Sequence, residues 1–237
     1  LILEVHDLHA YIGEFHILQG VTLEVPEGKA TVILGRNGAG KTTAIRSVMG
    51  LLKRRYGKIQ FAGRSIEGLP AHVIARMGLG YVPEDYGIFN GLTVEENLRL
   101  AMWGQGKEGR LTRVLDMFSD LKAALRKKAG SLSGGQKQML SIGRALLTDR
   151  RLLLIDEPSK GLAPVVVERV ARAINQIKEE TTVVLVEQNF NLARAVGDFY
   201  YIIDDGRTVG SGRMADLDRS GQSLHRYLGV TMKAGRL

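Results

Sequence analysis

At 237 residues, with 44% hydrophobic and 24% charged positions, the chain is long enough for one large or two small domains and a sizeable core. It has no Cys, which excludes disulfides, thiolate zinc sites and thiol catalysis, and no stretch approaches the roughly 18 apolar residues of a membrane span. The net charge of +8 suits polyanions, nucleotides or an anionic membrane face, but no long run of one sign marks a nucleic-acid arm.

The opening LILEVHDLHA carries Glu4, His6 and Asp7, so it is not expected to be a signal peptide, and any membrane role is expected to be peripheral. It reads as a strand, as do GVTLEVPEG and KATVILG, the last running into a Gly-rich loop. A helix is predicted from about Lys41 to Leu52, then a short strand in GKIQFAG. LPAHVIARMG reads as a short helix with Pro70 in its first turn and Gly78 just past its end. LGYVPE is a strand, and Thr93 and Glu96 have the spacing of a capping box. Helical pattern then runs to about Leu147, broken near GQGKEGR and KKAGSLSGGQ. RLLLIDEP is a central parallel strand by its unbroken apolar run. Val167, Val170, Ile174 and Ile177 share one helical face; TTVVLVEQ is the next strand and FNLARAVG the next helix. FYYIIDDGRTVGSG reads as a hairpin turning at Asp205-Gly206, followed by a brief helical tail. The alternation predicts an α/β core with parallel strands and a mostly helical insert.

GRNGAGKTT matches G-x-x-x-x-G-K-[ST] between strand and helix, the arrangement of a phosphate-binding loop: Gly35, Arg36, Asn37, Gly38, Ala39, Gly40, Lys41, Thr42 and Thr43. Its glycines let backbone N–H groups turn inward around phosphate oxygens, and the helix N-terminus adds positive dipole. Lys41 is placed to reach the β- and γ-phosphates, and the Thr42 hydroxyl to ligate Mg²⁺. The bland alternative is a Gly-rich turn that caps a helix. No N-K-x-D guanine element is present. Asp156 and Glu157 end the strand LLLIDEP, where the first can hold the Mg²⁺ shell and the second can orient or deprotonate the attacking water. SLSGGQKQM opens another helix, and Ser133, Gly134 and Gly135 expose N–H groups and a hydroxyl there, a second anion site.

GRNGAGKTT, LSGGQ, LLLIDEP and SKGLAP, in that order, resemble the nucleotide-binding subunit of ATP-binding cassette (ABC) transporters, from Leu3 to about Gly229. The resemblance implies a P-loop NTPase α/β core with a mostly parallel sheet, an N-terminal antiparallel β subdomain and an inserted α-helical subdomain. It makes residues 1–237 a single ATPase domain, with the core at about 1–83 and 149–237 and the insert at about 84–148. It implies ATP and Mg²⁺, and a homo- or heterodimer in which Ser133, Gly134, Gly135 and Gln136 act on the partner's ATP. Tyr11 stands where the family places an adenine-stacking aromatic. Ser159 to Pro164 match the loop that crosses the dimer interface, and the insert would grip a transmembrane permease subunit. The expected place is the cytoplasmic face of the inner or plasma membrane, with a solute-binding protein as an indirect partner and no nucleic acid.

In two places the chain departs from the family pattern. Glu84 stands where the family usually has a Gln near Mg²⁺ and the γ-phosphate, and Gln188 where it usually has a His. Gln188 can donate a hydrogen bond to a γ-phosphate oxygen but does not titrate near neutrality. Glu187 and Asn189 are expected to shape the loop locally. VPE, S-x-GLAP and VEQN together are similar to one ATPase of branched-chain amino-acid importers and to relatives for other amino acids, amides and urea. A transporter for urea, lipid or efflux, and a slow ATP-dependent clamp with little turnover, remain the alternatives.

Overall fold

The computed structural model describes residues 1–102 and 108–217. Its strands are β1 (Leu3–Ile12), β2 (Phe15–Val25), β3 (Ala30–Leu34), β4 (Arg55–Phe61), β5 (Arg64–Ser65), β6 (Leu79–Val82), β7 (Leu152–Asp156), β8 (Thr182–Glu187), β9 (Phe199–Asp204) and β10 (Arg207–Arg213). Its α-helices are α1 (Lys41–Val48), α2 (Ala71–Arg76), α3 (Val94–Ala101), α4 (Glu108–Met117), α5 (Ser119–Lys122), α6 (Gly134–Leu146), α7 (Pro164–Ile177), α8 (Phe190–Val196) and α9 (Met214–Leu217). Most of the GQGKEGR interruption, and the tail beyond α9, lie outside the described residues.

Two sheets result. The first is antiparallel, in the order β2-β1-β4-β5; the second is β10-β9-β3-β8-β7-β6, parallel except for the β9–β10 hairpin. The central strands are buried on both faces, and their side chains divide with period two. Val32, Leu34, Leu153, Ile155, Val183 and Leu185 pack with the helices α3 to α8, including Leu98, Phe118 and Leu140. Ile33, Leu152, Leu154, Val184 and Val186 face the opposite way, onto α1 and the antiparallel sheet. The α7 stripe of Val167, Val170, Ile174 and Ile177 is buried as its periodicity predicts.

Local differences from the sequence reading have local causes. β2 begins at Phe15, not Gly20, because Ile12 pairs with Phe15 and Tyr11 with His16 across the turn at Gly13-Glu14. That pairing overrides a segment whose exposed Phe15 and His16 carry no clear alternation. α1 stops at Val48 rather than Leu52: Leu51 N–H reaches back to Arg46 C=O at 2.9 Å across Gly50 (φ 77°), the bond of a Schellman cap. The capping box at Thr93 and Glu96 and the turn at Asp205-Gly206 form as read.

The sheet order sets up the site. Leu34 at the end of β3 lies beside Glu187 at the end of β8, and Val186 lies beside Asp156 at the end of β7. The loops that follow these three strands therefore leave from one edge, the carboxyl edge where parallel sheets bind ligands.

Candidate active site

The loop from Gly35 to Gly40 turns from β3 into α1. Gly35 (φ 152°) lies so close to β9 that a Cβ would stand 2.2 Å from the Ile203 carbonyl oxygen, so no side chain fits. The β9–β10 turn supports the loop from behind, with Gly206 N–H donating to Ala39 C=O at 3.0 Å. Gly40 caps α1 in the left-handed region and has no side chain to spend on the first-turn N–H groups. Asn37, Gly38, Gly40, Lys41, Thr42 and Thr43 line a cavity there, facing Glu84, Glu157 and Lys160. Gly35, Arg36 and Ala39 contribute backbone: Lys41 Nζ donates to the carbonyls of Gly35 and Arg36 at 3.0 Å each, and Ala39 N–H donates to Arg36 C=O.

The charged groups are buried and interlocked. Lys41 Nζ sits 3.2 Å from Glu157 Oε1, with side chains only 3% and 9% exposed. Thr42 donates to Asp156 Oδ1 at 2.9 Å, and Tyr81 from β6 donates to Asp156 Oδ2 at 3.0 Å. Burial pushes the Asp156 carboxyl above its ordinary pKa; the Thr42 and Tyr81 hydrogen bonds pull it down, and the nearby Glu157 and Glu84 charges push it up again. Burial and the Asp156 charge likewise hold the Tyr81 phenol in its protonated, donating form. A buried carboxylate paired with a buried ammonium, beside a second desolvated carboxylate, is costly to fold and typical of sites that act on a charged substrate. Glu157 also holds a left-handed backbone (φ 42°) that a non-glycine residue rarely adopts, fixed by its N–H bond to Val186 C=O at 2.9 Å.

Thr42 and the carboxylates of Asp156 and Glu84 supply only oxygen donors, which fit the oxygen coordination that Mg²⁺ prefers. Among the described residues, no cluster of three or more His, Cys, Asp or Glu suits a tighter metal cage.

Gln188 is exposed and lines an adjoining cavity with Glu157, Ser159, Lys160 and Asn189. Its neighbours shape the loop as expected. The buried Glu187 carboxylate accepts from the N–H groups of Ser159 (3.0 Å), Gln188 (2.9 Å) and Asn189 (2.8 Å), and Asn189 Oδ1 caps α8. Ser133 and Gln136 close a capping box on α6, and Gly135 packs so tightly that a Cβ would stand 2.4 Å from Val166 Cγ1. None of Ser133, Gly134, Gly135 and Gln136 lines the cavity at α1.

Nor is Tyr11 brought to the cavity; its ring lies flat on His16, 4.3 Å between centroids, with the Arg54 guanidinium 4.8 Å from its centre. The next residue, Ile12, does line it, together with Ile17. Successive residues of a strand point to opposite faces, so a hairpin ending at Ile12-Gly13 was the available signal. Lys160 and Tyr81 were also missed, since only the folded chain brings them to Glu84 and Asp156.

A phosphate loop at the carboxyl edge of a parallel sheet, with Thr42–Asp156 and Lys41–Glu157 converging on it, defines a P-loop nucleotide hydrolase. The family model described as ABC transporter matches residues 18–160, and the chain belongs to that family and is an ATPase of that class. It is 39% identical over 223 residues to the high-affinity branched-chain amino acid transport ATP-binding protein BraG of Pseudomonas aeruginosa, covering 92% of this chain and 96% of that protein. It is 32% identical over 228 residues to the lipopolysaccharide export system ATP-binding protein LptB of Escherichia coli, covering 93% of each. Its fold matches a dimeric ATP-binding cassette in a post-hydrolysis state bound to ADP and phosphate, at TM-score 0.80 and 25% identity, over 90% of this chain and 98% of that one. Among the described residues no helix is long and apolar enough to cross a membrane.

Proposed function

We propose that the chain powers an importer for branched-chain or related amino acids. The hydrolytic half of this reading rests on the convergence of Lys41, Thr42, Asp156 and Glu157 at one sheet edge. The solute class rests on the 39% identity to BraG along nearly both full lengths.

The resting hydrogen bonds suggest how the residues act. Lys41 exchanges Glu157 for β- and γ-phosphate oxygens of ATP, and the first-turn N–H groups of α1 bind the same phosphates. Once released by Lys41, Glu157 orients and deprotonates the attacking water, held at the required angle by its strained backbone. Thr42, Asp156 and Glu84 would hold Mg²⁺, which would neutralise phosphate charge, and Tyr81 fixes the Asp156 carboxylate. Gln188 donates to the terminal phosphate from the adjoining cavity. The adenine meets Ile12 rather than Tyr11. Ser133, Gly134, Gly135 and Gln136 serve the ATP of a second cassette in a homo- or heterodimer. The helical segment, about 84–148, docks on transmembrane permease subunits at the cytoplasmic face of the membrane, and a solute-binding protein feeds them.

The test is reconstitution with the membrane subunits that copurify with the chain and with their solute-binding protein, in vesicles supplied with internal ATP. ATP-dependent uptake of leucine or valine is expected. Uptake of urea or a lipid instead would displace the solute class, and ATP hydrolysis without any uptake would contradict the transport role.

A further inference from the structure

Three carboxylates, Glu84, Asp156 and Glu157, crowd the place where a triphosphate must sit. Lys41 is the buried cation facing them from the phosphate loop. Lys160, inside SKGLAP, is a second cation there and is exposed. Its ammonium makes a close ion pair with Glu84 and lies 3.8 Å from Glu157 Oε2. It lines the phosphate-loop cavity with Glu84 and Glu157, and the adjoining cavity with Gln188. The loop carrying Lys160 is the one that the family resemblance assigns to the subunit interface, yet this side chain turns into its own chain's cavity.

Exposure separates the roles of the two lysines. The Lys41 side chain is 3% exposed and held by two carbonyls as well as Glu157. Lys160 is 57% exposed and Glu84 40%, so their pair is solvent-screened and exchanging one partner for another costs little. A terminal phosphate carries more charge than one carboxylate, and an ammonium on a long flexible stem follows the larger charge. ADP lacks that phosphate and leaves Lys160 with Glu84.

We propose that Lys160 is a second phosphate-binding cation of this chain, which leaves Glu84 to contact the γ-phosphate of the ATP bound at Lys41 and so distinguishes ATP from ADP. This rests on the reading of the Lys41 cavity as the ATP site, and the experiment separates the two. Equilibrium binding of ATP and of ADP, each with Mg²⁺, is measured for the full chain and for Lys160→Gln, Lys160→Arg, Glu84→Gln and the Glu84→Gln/Lys160→Gln pair.

Loss of one charge-assisted contact predicts that Lys160→Gln weakens ATP about tenfold while ADP stays within about twofold, with Lys160→Arg restoring most of the ATP affinity. In the Glu84→Gln background, Lys160→Gln should still cost ATP affinity, because the contact is with phosphate. Three results would overturn the proposal: equal losses for ATP and ADP, no loss for either, or a loss that vanishes once Glu84 is Gln, which makes Lys160 a mere neutraliser of Glu84. Lys41→Ala serves as the separate control. If it leaves ATP binding intact, the site assignment fails, not the role of Lys160 within it.

Discussion

Two helices in this chain begin at glycine-rich sequences, and they finish in opposite states. The cap of α1 is Gly40, which brings no side chain, so its first-turn N–H groups meet the cavity lined by Lys41, Thr42, Glu84 and Glu157. The cap of α6 is Ser133, whose hydroxyl accepts from Gln136 N–H at 3.3 Å while the Gln136 side chain accepts from Ser133 N–H at 3.1 Å. The α1 start has no side-chain cap; at the α6 start the Gln136 N–H is closed by the chain's own Ser133. The second half of α6 is joined to the segment after Glu84, because Ser141 and Arg144 donate to the carbonyls of Tyr86 and Gly87. Similar glycine spellings thus yield an uncapped, cavity-lining helix start in one place and a self-capped one in the other, and the difference lies in the cap residue and in which charged side chains surround it.

Substitutions can break that contrast. Lys41→Ala should show the largest effect, a loss of ATP affinity of at least about a hundredfold in an equilibrium titration, because it removes a buried ammonium and strands Glu157. Ser133→Ala should leave ATP affinity of the isolated chain within about threefold and cost about 1 kcal/mol of stability through the lost cap, read from thermal melting. If both substitutions weakened ATP alike, the two helix starts would belong to one site within one chain.

The loop behind Glu157 sharpens the comparison further. Glu187→Gln leaves a single acceptor oxygen where a carboxylate now satisfies N–H groups of Ser159, Gln188 and Asn189. A stability loss of about 1–3 kcal/mol is expected from chemical denaturation, and turnover should fall with it. Unchanged stability would remove Glu187 as the organiser of that loop. The smallest effect concerns the base: Ile12→Ala should raise the KM for ATP about threefold through lost apolar contact, while Tyr11→Ala leaves it unchanged. The reverse pattern would return the adenine to Tyr11.

What the sequence made legible was local. The phosphate loop, the capping box at Thr93, the helix start at Ser133 and the turn at Asp205-Gly206 each depend on a few adjacent residues whose backbone needs are spelled out in their types. Asp156 and Glu157 were legible because an apolar strand must end where its polar residues begin. What stayed hidden depends on pairing across the chain. Tyr81 meets Asp156 across 75 positions and Lys160 meets Glu84 across 76, and no spacing rule connects them. That Ile12 and not Tyr11 meets the cavity was within reach of β1's alternation, but the cavity itself forms only when β1 folds beside the phosphate loop.

The central claim is that Glu157, freed when Lys41 turns to phosphate, handles the attacking water. Glu157→Gln keeps the side-chain shape while removing the base, and the decisive comparison is ATP affinity beside turnover in the same preparation. The account predicts affinity within about threefold of the unmodified chain and turnover lower by at least about a hundredfold. Turnover preserved to within about twofold would contradict it and assign the water to another group.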